Sequence, residues 1–301
     1  MSAPTALAPL LAALEDRYGA ALQGALLYGS CLRSGDFRDG LVDLWVVVDQ
    51  YSHAYGRRIA ALANRLLPPN VFYLEVPSPA GPLRAKYGVI ALAQLERAVS
   101  RRAFESYFWG RLAQPVEILY ARTPQLRARL ERVLAAARDT FLARALAVAP
   151  PAGPLAALWL AGLAASYRSE LRAEGPERAA AILAAAPDFF LAATRAFAAG
   201  RPDRLELKKG AEGWNYRARL SPAARRWGRL AWRLRRPWGK AKSLARLLKG
   251  LFTFEGALDY AAWKLERHSG RRVEIPPAVR RRPLIHGWAF LWRLYREGLF
   301  R

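Results

Sequence analysis

Histidine, cysteine and methionine are nearly missing from this chain, with three, one and one in 301 residues. A lone Cys31 excludes a disulfide framework, and so few histidines exclude a zinc cluster of the Cys/His type. A reducing compartment is the expectation. Acidic residues are also scarce, 24 against 48 Lys and Arg. Long apolar runs are lacking too. The longest uncharged stretch, 145–167, is broken by Pro150, Pro151, Gly153 and Pro154, so it reads as two buried helix ends and not a membrane span. Met1 to Leu14 is apolar, but no basic leader precedes it and Glu15 and Asp16 follow directly. That segment reads as a first helix and not a signal peptide.

What is present is a formal charge of +24 on a chain that is 53% apolar. The apolar share excludes a disordered basic tail, and the length allows two domains. The charge calls for anionic partners, whether nucleic acid, nucleotide phosphates or a membrane surface. It is unevenly placed, with +18 of the +24 in residues 201–301.

After the first helix, Gly24 to Tyr28 reads as a short strand entering a turn at Gly29 and Ser30, then a polar loop from Arg33 to Gly40. Leu41 to Val48 has the β-branched character of a central strand, Ala54 to Leu67 reads as a helix stopped by Pro68 and Pro69, and Val71 to Val76 as a further strand. Residues 92–113 have helical spacing, and Thr123-Pro124 opens a long helix. Beyond Gly153 the strand signal nearly vanishes, and Gly153-Pro154, Gly175-Pro176 and Ser221-Pro222 each read as a helix start. The fold class is therefore α+β, a mixed-sheet domain over 1–120, a mainly helical domain over 121–200 and a basic helical region over 201–301.

The chemistry-bearing pattern is Leu27-Tyr28-Gly29-Ser30 followed by Asp43-Leu44 in an apolar strand. A Gly-Ser turn offers backbone N–H groups and a hydroxyl to phosphate oxygens. A carboxylate on the next strand can hold Mg²⁺ beside those phosphates, since Mg²⁺ takes one or two carboxylates plus phosphate and water oxygens. This is the logic of a nucleotidyltransferase. Many of these enzymes carry a second carboxylate two residues on, where this chain has Trp45. Glu75, flanked by Tyr73 and Leu74 in a core-like strand, is the candidate to fill that role, because a carboxylate there needs a partner. Taken singly, Gly29-Ser30 is also an ordinary β-turn, and Asp43 and Glu75 are also ordinary partners for arginine.

The ordered set Leu27-Tyr28-Gly29-Ser30, Val42-Asp43-Leu44, Lys86-Tyr87-Gly88-Val89-Ile90, Gly110-Arg111-Leu112, Gln114-Pro115-Val116 and Ser166-Tyr167 with Arg172 resembles the mitochondrial-type phosphatidate cytidylyltransferases, the translocator assembly and maintenance family. The resemblance spans about residues 20–185. It implies a nucleotidyltransferase domain followed by a winged-helix-like helical domain, and Mg²⁺-dependent transfer of CMP from CTP to phosphatidic acid. It matches Tyr28, Gly29 and Ser30 to the phosphate-gripping turn, Asp43 to the metal carboxylate, and Lys86 and Arg111 to phosphate-binding cations. Glu170 and Arg172 are candidates to complete the nucleotide site from the second domain. The sequence departs from the family at Cys31-Leu32-Arg33, in place of a Gly-rich continuation, and at Ser169-Glu170, in place of Gly-Asp. Two alternatives stay open: a nucleotidyltransferase acting on another small molecule, protein or RNA end, and a nucleotide-binding homologue without catalysis.

Residues 225–249 contain ten Lys and Arg and no acid, interleaved with Trp227, Trp232 and Trp238. Helical spacing puts Trp227, Leu230, Ala231 and Leu234 on one stripe and Arg225, Arg229 and Arg233 on the other side, with Pro237 expected to end the helix and a second basic helix to follow it. Two such helices suit an anionic membrane surface, each cation contributing on the order of 1 kcal/mol. Packing of both stripes on the core is the competing reading. Nucleic acid ranks below both, since no recognised binding module is visible. The resulting expectation is a peripheral enzyme on the cytoplasmic face of a bacterial inner membrane.

Overall fold

The computed structural model describes residues 3–253 except 38–39, 57, 80, 172–175 and 212, and only scattered residues of 254–301. The chain is mixed α and β. Its first sheet has five strands in the order β3-β4-β2-β1-β5: β1 (Leu22–Tyr28), β2 (Val42–Val48), β3 (Asn70–Val76), β4 (Leu83–Ala91) and β5 (Glu117–Ala121). β2 lies at the centre, antiparallel to β1 and parallel to β4. Its run Val42-Asp43-Leu44-Trp45-Val46-Val47-Val48 is buried on both faces except at Asp43. That burial pattern belongs to a covered central strand.

Alternation along the strands divides the core in two. Leu27, Leu44, Val46, Phe72, Tyr87 and Val89 face a layer built from Leu7, Leu10 and Leu14, the last two on α2 (Ala8–Tyr18). Leu26, Trp45, Val47 and Ile90 face the opposite layer of α6 (Leu92–Val99), α7 (Trp109–Leu112) and α8 (Pro124–Ala145). Thr123 caps α8 as its sequence predicts, its side chain accepting from Leu126 N.

Three short strands interrupt the region expected to be helical: β6 (Ala152–Pro154), β7 (Leu205–Gly210) and β8 (Gly213–Ala218) form a sheet in the order β6-β8-β7. With α8, α9 (Leu155–Arg168), α10 (Pro176–Ala184) and α11 (Pro187–Gly200) they follow the helix, strand, helices and hairpin order of a winged helix, and the hairpin carries this unit past residue 200. Leu-Glu-Leu-Lys-Lys-Gly and Gly-Trp-Asn-Tyr-Arg-Ala are short and largely polar, so neither shows the apolar run by which a buried strand is recognised. Where a winged helix would read nucleic acid, the outward face of α11 offers Ala192, Ala196 and Ala199 beside the acidic Asp188, and its Arg195 stacks on Trp214 of the wing at 4.3 Å.

The basic segment forms one helix, α12 (Pro222–Thr253), that continues through Pro237. Pro237 sits on the side away from the protein, and the opposite side is pinned by packing on either side of it. The Cβ position of Gly239 would fall on the Ser169 carbonyl, which requires glycine at this close approach. No single helix among the described residues is long and apolar enough to cross a membrane.

Candidate functional site

Register aligns three candidate residues, and Tyr73 beside them, in one row across the first sheet. Tyr28 pairs with Asp43, Asp43 with Lys86, and Lys86 with Tyr73. Directly registered residues share a face of the sheet. Lys86 Nζ stands 3.7 Å from Asp43 Oδ1. Beside them the chain leaves β1 through Gly29, at φ 91° and ψ −158°, and enters the short helix α3 (Ser30–Ser34) with Ser30 exposed. A Cβ at Gly29 would lie 2.7 Å from Asp43 Oδ2. Glycine is thus required twice, by the positive φ and by the carboxylate packed against its Cα. The loop after α3 is drawn back to the sheet by buried Cys31, whose Sγ donates to the Leu41 carbonyl at 3.2 Å.

The row behind explains Trp45. Trp45 registers with Leu26 and Gly88, and a Cβ at Gly88 would meet the indole at 2.8 Å. The ring therefore reaches close over Gly88 of β4, stacks on Tyr28 at 5.7 Å and 19°, and abuts Tyr107 and Phe108. It is 1% exposed. The position where a second carboxylate would stand is filled by a core aromatic.

Glu75 does not replace that carboxylate. It shares the face of Tyr73 but registers with Arg84, two strands and one pleat repeat from Asp43. At about 4.8 Å per strand and 3.3 Å per residue the separation is roughly 12 Å, far beyond what one Mg²⁺ bridges. Arg84 holds Glu75 with Nε at 3.1 Å and Nη2 at 3.3 Å, and the Tyr73 hydroxyl donates to it at 2.8 Å. The partner that a carboxylate in that strand requires is an arginine on the neighbouring strand. Among the described residues no group of three or more His, Cys, Asp or Glu side chains is placed to hold a metal ion. The donor set fits Mg²⁺ only as an ion shared between Asp43 and the phosphates of a bound nucleotide, a coordination Mg²⁺ commonly takes.

Arg111 and Glu170 meet. Arg111, on α7, donates from Nη1 and Nη2 to the two Glu170 oxygens at 2.9 and 2.6 Å and from Nη1 to the Tyr107 carbonyl at 2.8 Å. The planar fork suits bidentate pairing. Burial alone would lower the Arg111 guanidinium, but the Glu170 carboxylate reverses this and holds its pKa above the ordinary value. The two candidates thus form the ionic joint between the first sheet and the winged-helix unit, and the charge of Arg111 is matched before any ligand binds. Arg172 lies outside the described residues.

Tyr107 carries no sequence motif, yet it ties the site to α12. The Arg111 guanidinium lies 3.8 Å from its ring centroid and that of Arg246 4.0 Å away. Arg246 also donates to Glu105 and to the Pro68 carbonyl, while Lys249 donates to the carbonyls of Leu67 and Pro69. Burial, then Arg246, pushes Lys249 down to about 7. The cluster Phe104-Glu105-Ser106-Tyr107-Phe108-Trp109 is an aromatic-rich run that could have been flagged from composition, but its partners come from 140 residues downstream.

The three tryptophans expected at a membrane separate. Trp232 is 2% exposed, packs edge-on against Trp109 at 5.7 Å and donates from Nε1 to the Arg144 carbonyl at 3.0 Å. It is a core residue and not a surface anchor, because the face of α12 turned inward is the one on which Gly228 and Gly239 let the helix approach closely. Arg225 is half-buried and donates to the Ala149 carbonyl at 2.7 Å. Trp227 and Trp238 are 69% and 51% exposed, and Arg229 and Arg233 are exposed too.

No known protein family and no curated protein matches the sequence. Among solved structures, a nucleotidyltransferase-like protein from Exiguobacterium sibiricum 255-15 is similar over 73% of this chain and 100% of its own, at 10% identity and a TM-score of 0.28. At that score the likeness carries no argument, and the functional reading rests on the site.

Proposed function

We propose that this protein is a Mg²⁺-dependent nucleotidyltransferase that transfers CMP from CTP to phosphatidic acid, giving CDP-diacylglycerol and pyrophosphate in phospholipid biosynthesis. The observation that carries the reading is the row Tyr28-Asp43-Lys86 set against a glycine turn that has no room for a side chain. The choice of CTP and phosphatidate comes from the ordered motif resemblance. Gly29 and Ser30 receive the triphosphate, and Asp43 would hold Mg²⁺ against it. Bound there, the ion would offset charge on the transferring phosphoryl group. An oxygen of the lipid phosphate attacks the α-phosphorus in line, and the bond to the β-phosphate oxygen breaks as pyrophosphate leaves. Lys86, on the strand beside Asp43, supplies a fixed cation to the developing charge. No general base is needed, because a phosphate monoester is largely ionised near neutral pH, its second pKa being about 6.

Such a substrate lies in a bilayer. On this reading the enzyme is a peripheral protein on the cytoplasmic face, and the exposed flank of α12, with Trp227, Trp238, Arg229 and Arg233, is given to an anionic membrane. Trp45 supports a second reading. A site with one acidic side chain and an indole in the second position also suits a homologue that binds a nucleotide without turning it over, or one that serves another acceptor.

The test is purified protein with labelled CTP, Mg²⁺ and phosphatidic acid in mixed micelles, with Asp43→Asn as control. Lipid-extractable label from the wild type alone supports the transferase. Nucleotide binding that depends on Asp43 without label in lipid selects the second reading.

A further inference from the structure

Two helices of this protein are inside out. In α5 (Arg58–Leu66) the apolar residues Ile59, Leu62 and Leu66 recur at the spacing of one helix face, which would ordinarily be buried. They are 80%, 57% and 72% exposed. The helix is instead docked through alanines and the fully buried Asn64, whose Nδ2 donates to the Val89 carbonyl and the Tyr55 hydroxyl at 2.9 Å each, and whose Oδ1 accepts from Asn70 N at 2.6 Å. In α12 the same inversion runs over many more turns. Arg235, Lys242, Arg246 and Lys249 turn toward the protein, while Trp227, Leu234 and Trp238 stand out to solvent. Ten of the thirteen large apolar side chains that are exposed among the described residues lie on these two helices.

The two helices are linked at one loop. Arg246 and Lys249 fix the end of α12 on the carbonyls of Leu67, Pro68 and Pro69, the loop that leaves α5 and enters the edge strand β3. An exposed apolar area built from two separate elements, each held by polar pins that leave its large residues outward, marks an interaction surface.

We infer that α5 and the outward flank of α12 form one two-part docking surface for an anionic lipid bilayer. This rests on the membrane-surface part of the proposed function and extends it to an element with no basic stretch of its own. The charge selects the occupant. Neither helix contains an acidic residue, Arg58 and Arg65 are exposed on α5 with its apolar stripe, and Arg226, Arg229, Arg233, Arg236 and Lys240 are exposed on α12 with its outward tryptophans. Two copies of a +24 chain meeting through acid-free basic faces would repel, whereas an anionic headgroup layer attracts these cations and takes the apolar side chains beneath them.

The experiment is co-sedimentation of the full chain with phosphatidylglycerol-containing vesicles and with pure phosphatidylcholine vesicles. Wild type is expected to sediment with the anionic vesicles and to be released by salt. The triple variant Ile59→Ser, Leu62→Ser, Leu66→Ser is expected to bind them at least about tenfold more weakly, since each serine withdraws several methylene equivalents from the bilayer. Trp227→Ser with Trp238→Ser is expected to do the same. These residues are exposed, so both variants should keep the wild-type melting curve and Asp43-dependent nucleotide binding. An α5 variant that sediments like wild type overturns the inference, as does a wild-type dimer that dissociates in that variant. Loss of vesicle binding with transfer to micellar phosphatidate intact leaves the chemistry standing, and the reverse result removes the chemistry but not the docking surface.

Discussion

Gly29→Ala perturbs the site with one methyl group, and its consequences divide into two parts. The first is conformational. At φ 91° and ψ −158° an L-residue is in a region used almost only by glycine, which costs of order 1–3 kcal/mol. The second is local. The new Cβ lies 2.7 Å from Asp43 Oδ2, 3.2 Å from its Cβ and 3.3 Å from its Cγ, so the carboxylate must move by most of an ångström. Displacement on that scale costs on the order of 100-fold in a positioned reaction. Gly35→Ala separates the two parts. Gly35 caps α3 at φ 71° and ψ 0°, and its Cβ would meet nothing within 4 Å, so only a strain of about 1–2 kcal/mol is expected. Thermal unfolding should show both variants destabilised. Nucleotide binding by calorimetry with Mg²⁺, and label transfer to lipid, should fall only in Gly29→Ala. Equal loss in both variants, or wild-type transfer by Gly29→Ala, would refute the claim that this turn and Asp43 form one phosphate site.

Glu75→Gln is expected to leave transfer within about twofold of wild type, because the residue is bound to Arg84 away from Asp43, whereas Lys86→Met, which removes a fixed cation, should cost at least tenfold in kcat; a large loss in Glu75→Gln would return that carboxylate to the site. Glu170→Gln leaves the buried Arg111 guanidinium uncompensated and should cost about 3–5 kcal/mol in chemical denaturation. The double variant Arg111→Met, Glu170→Leu should recover most of that stability, and a double variant no more stable than the single one would show that the pair is not the joint described. Lys249 gives a pH test. Its folded pKa of about 7 lies below the ordinary lysine value of about 10.4, so between these limits the unfolded chain binds more protons and stability should rise with pH. The gain in melting temperature from pH 7 to 9 should be larger in wild type than in Lys249→Met, and an equal gain in both would exclude this group as its source.

Much of the first sheet was legible because its strands carry local signals. β2 is apolar at every position but Asp43, and Pro68 and Pro69 stop α5 where the structure stops it. The hairpin β7-β8 was missed because only Leu205 and Tyr216 of its strands are buried, too few to leave an alternating mark. Pro237 misled for a related reason. Its cost to a helix is local, and docking of Trp232 and Arg235 on one side and Arg246 on the other holds α12 continuous across it. In the site, Tyr28, Gly29, Asp43 and Lys86 were legible as an ordered motif. That Glu75 belongs to Arg84 and Arg111 to Glu170 depends on strand register and on the meeting of two units, neither of which spacing reveals.

The amphipathic pattern of α5 and α12 shows the limit most clearly. Sequence by itself determined that each helix has an apolar stripe and a polar side, because 3.6 residues per turn follow from backbone geometry alone. It also determined that the charge excess lies at the rear of the chain. Only the tertiary structure decided which side faces in. The usual inward choice rests on the hydrophobic effect, and here Asn64 and Arg246 find carbonyls, the Tyr107 ring and Glu105 that satisfy them, while buried Arg235 lies against aromatic rings and donates from Nε alone to the Phe104 carbonyl. With Asn64 and Arg246 partnered inward, the apolar side chains of both helices are left to whatever the protein binds.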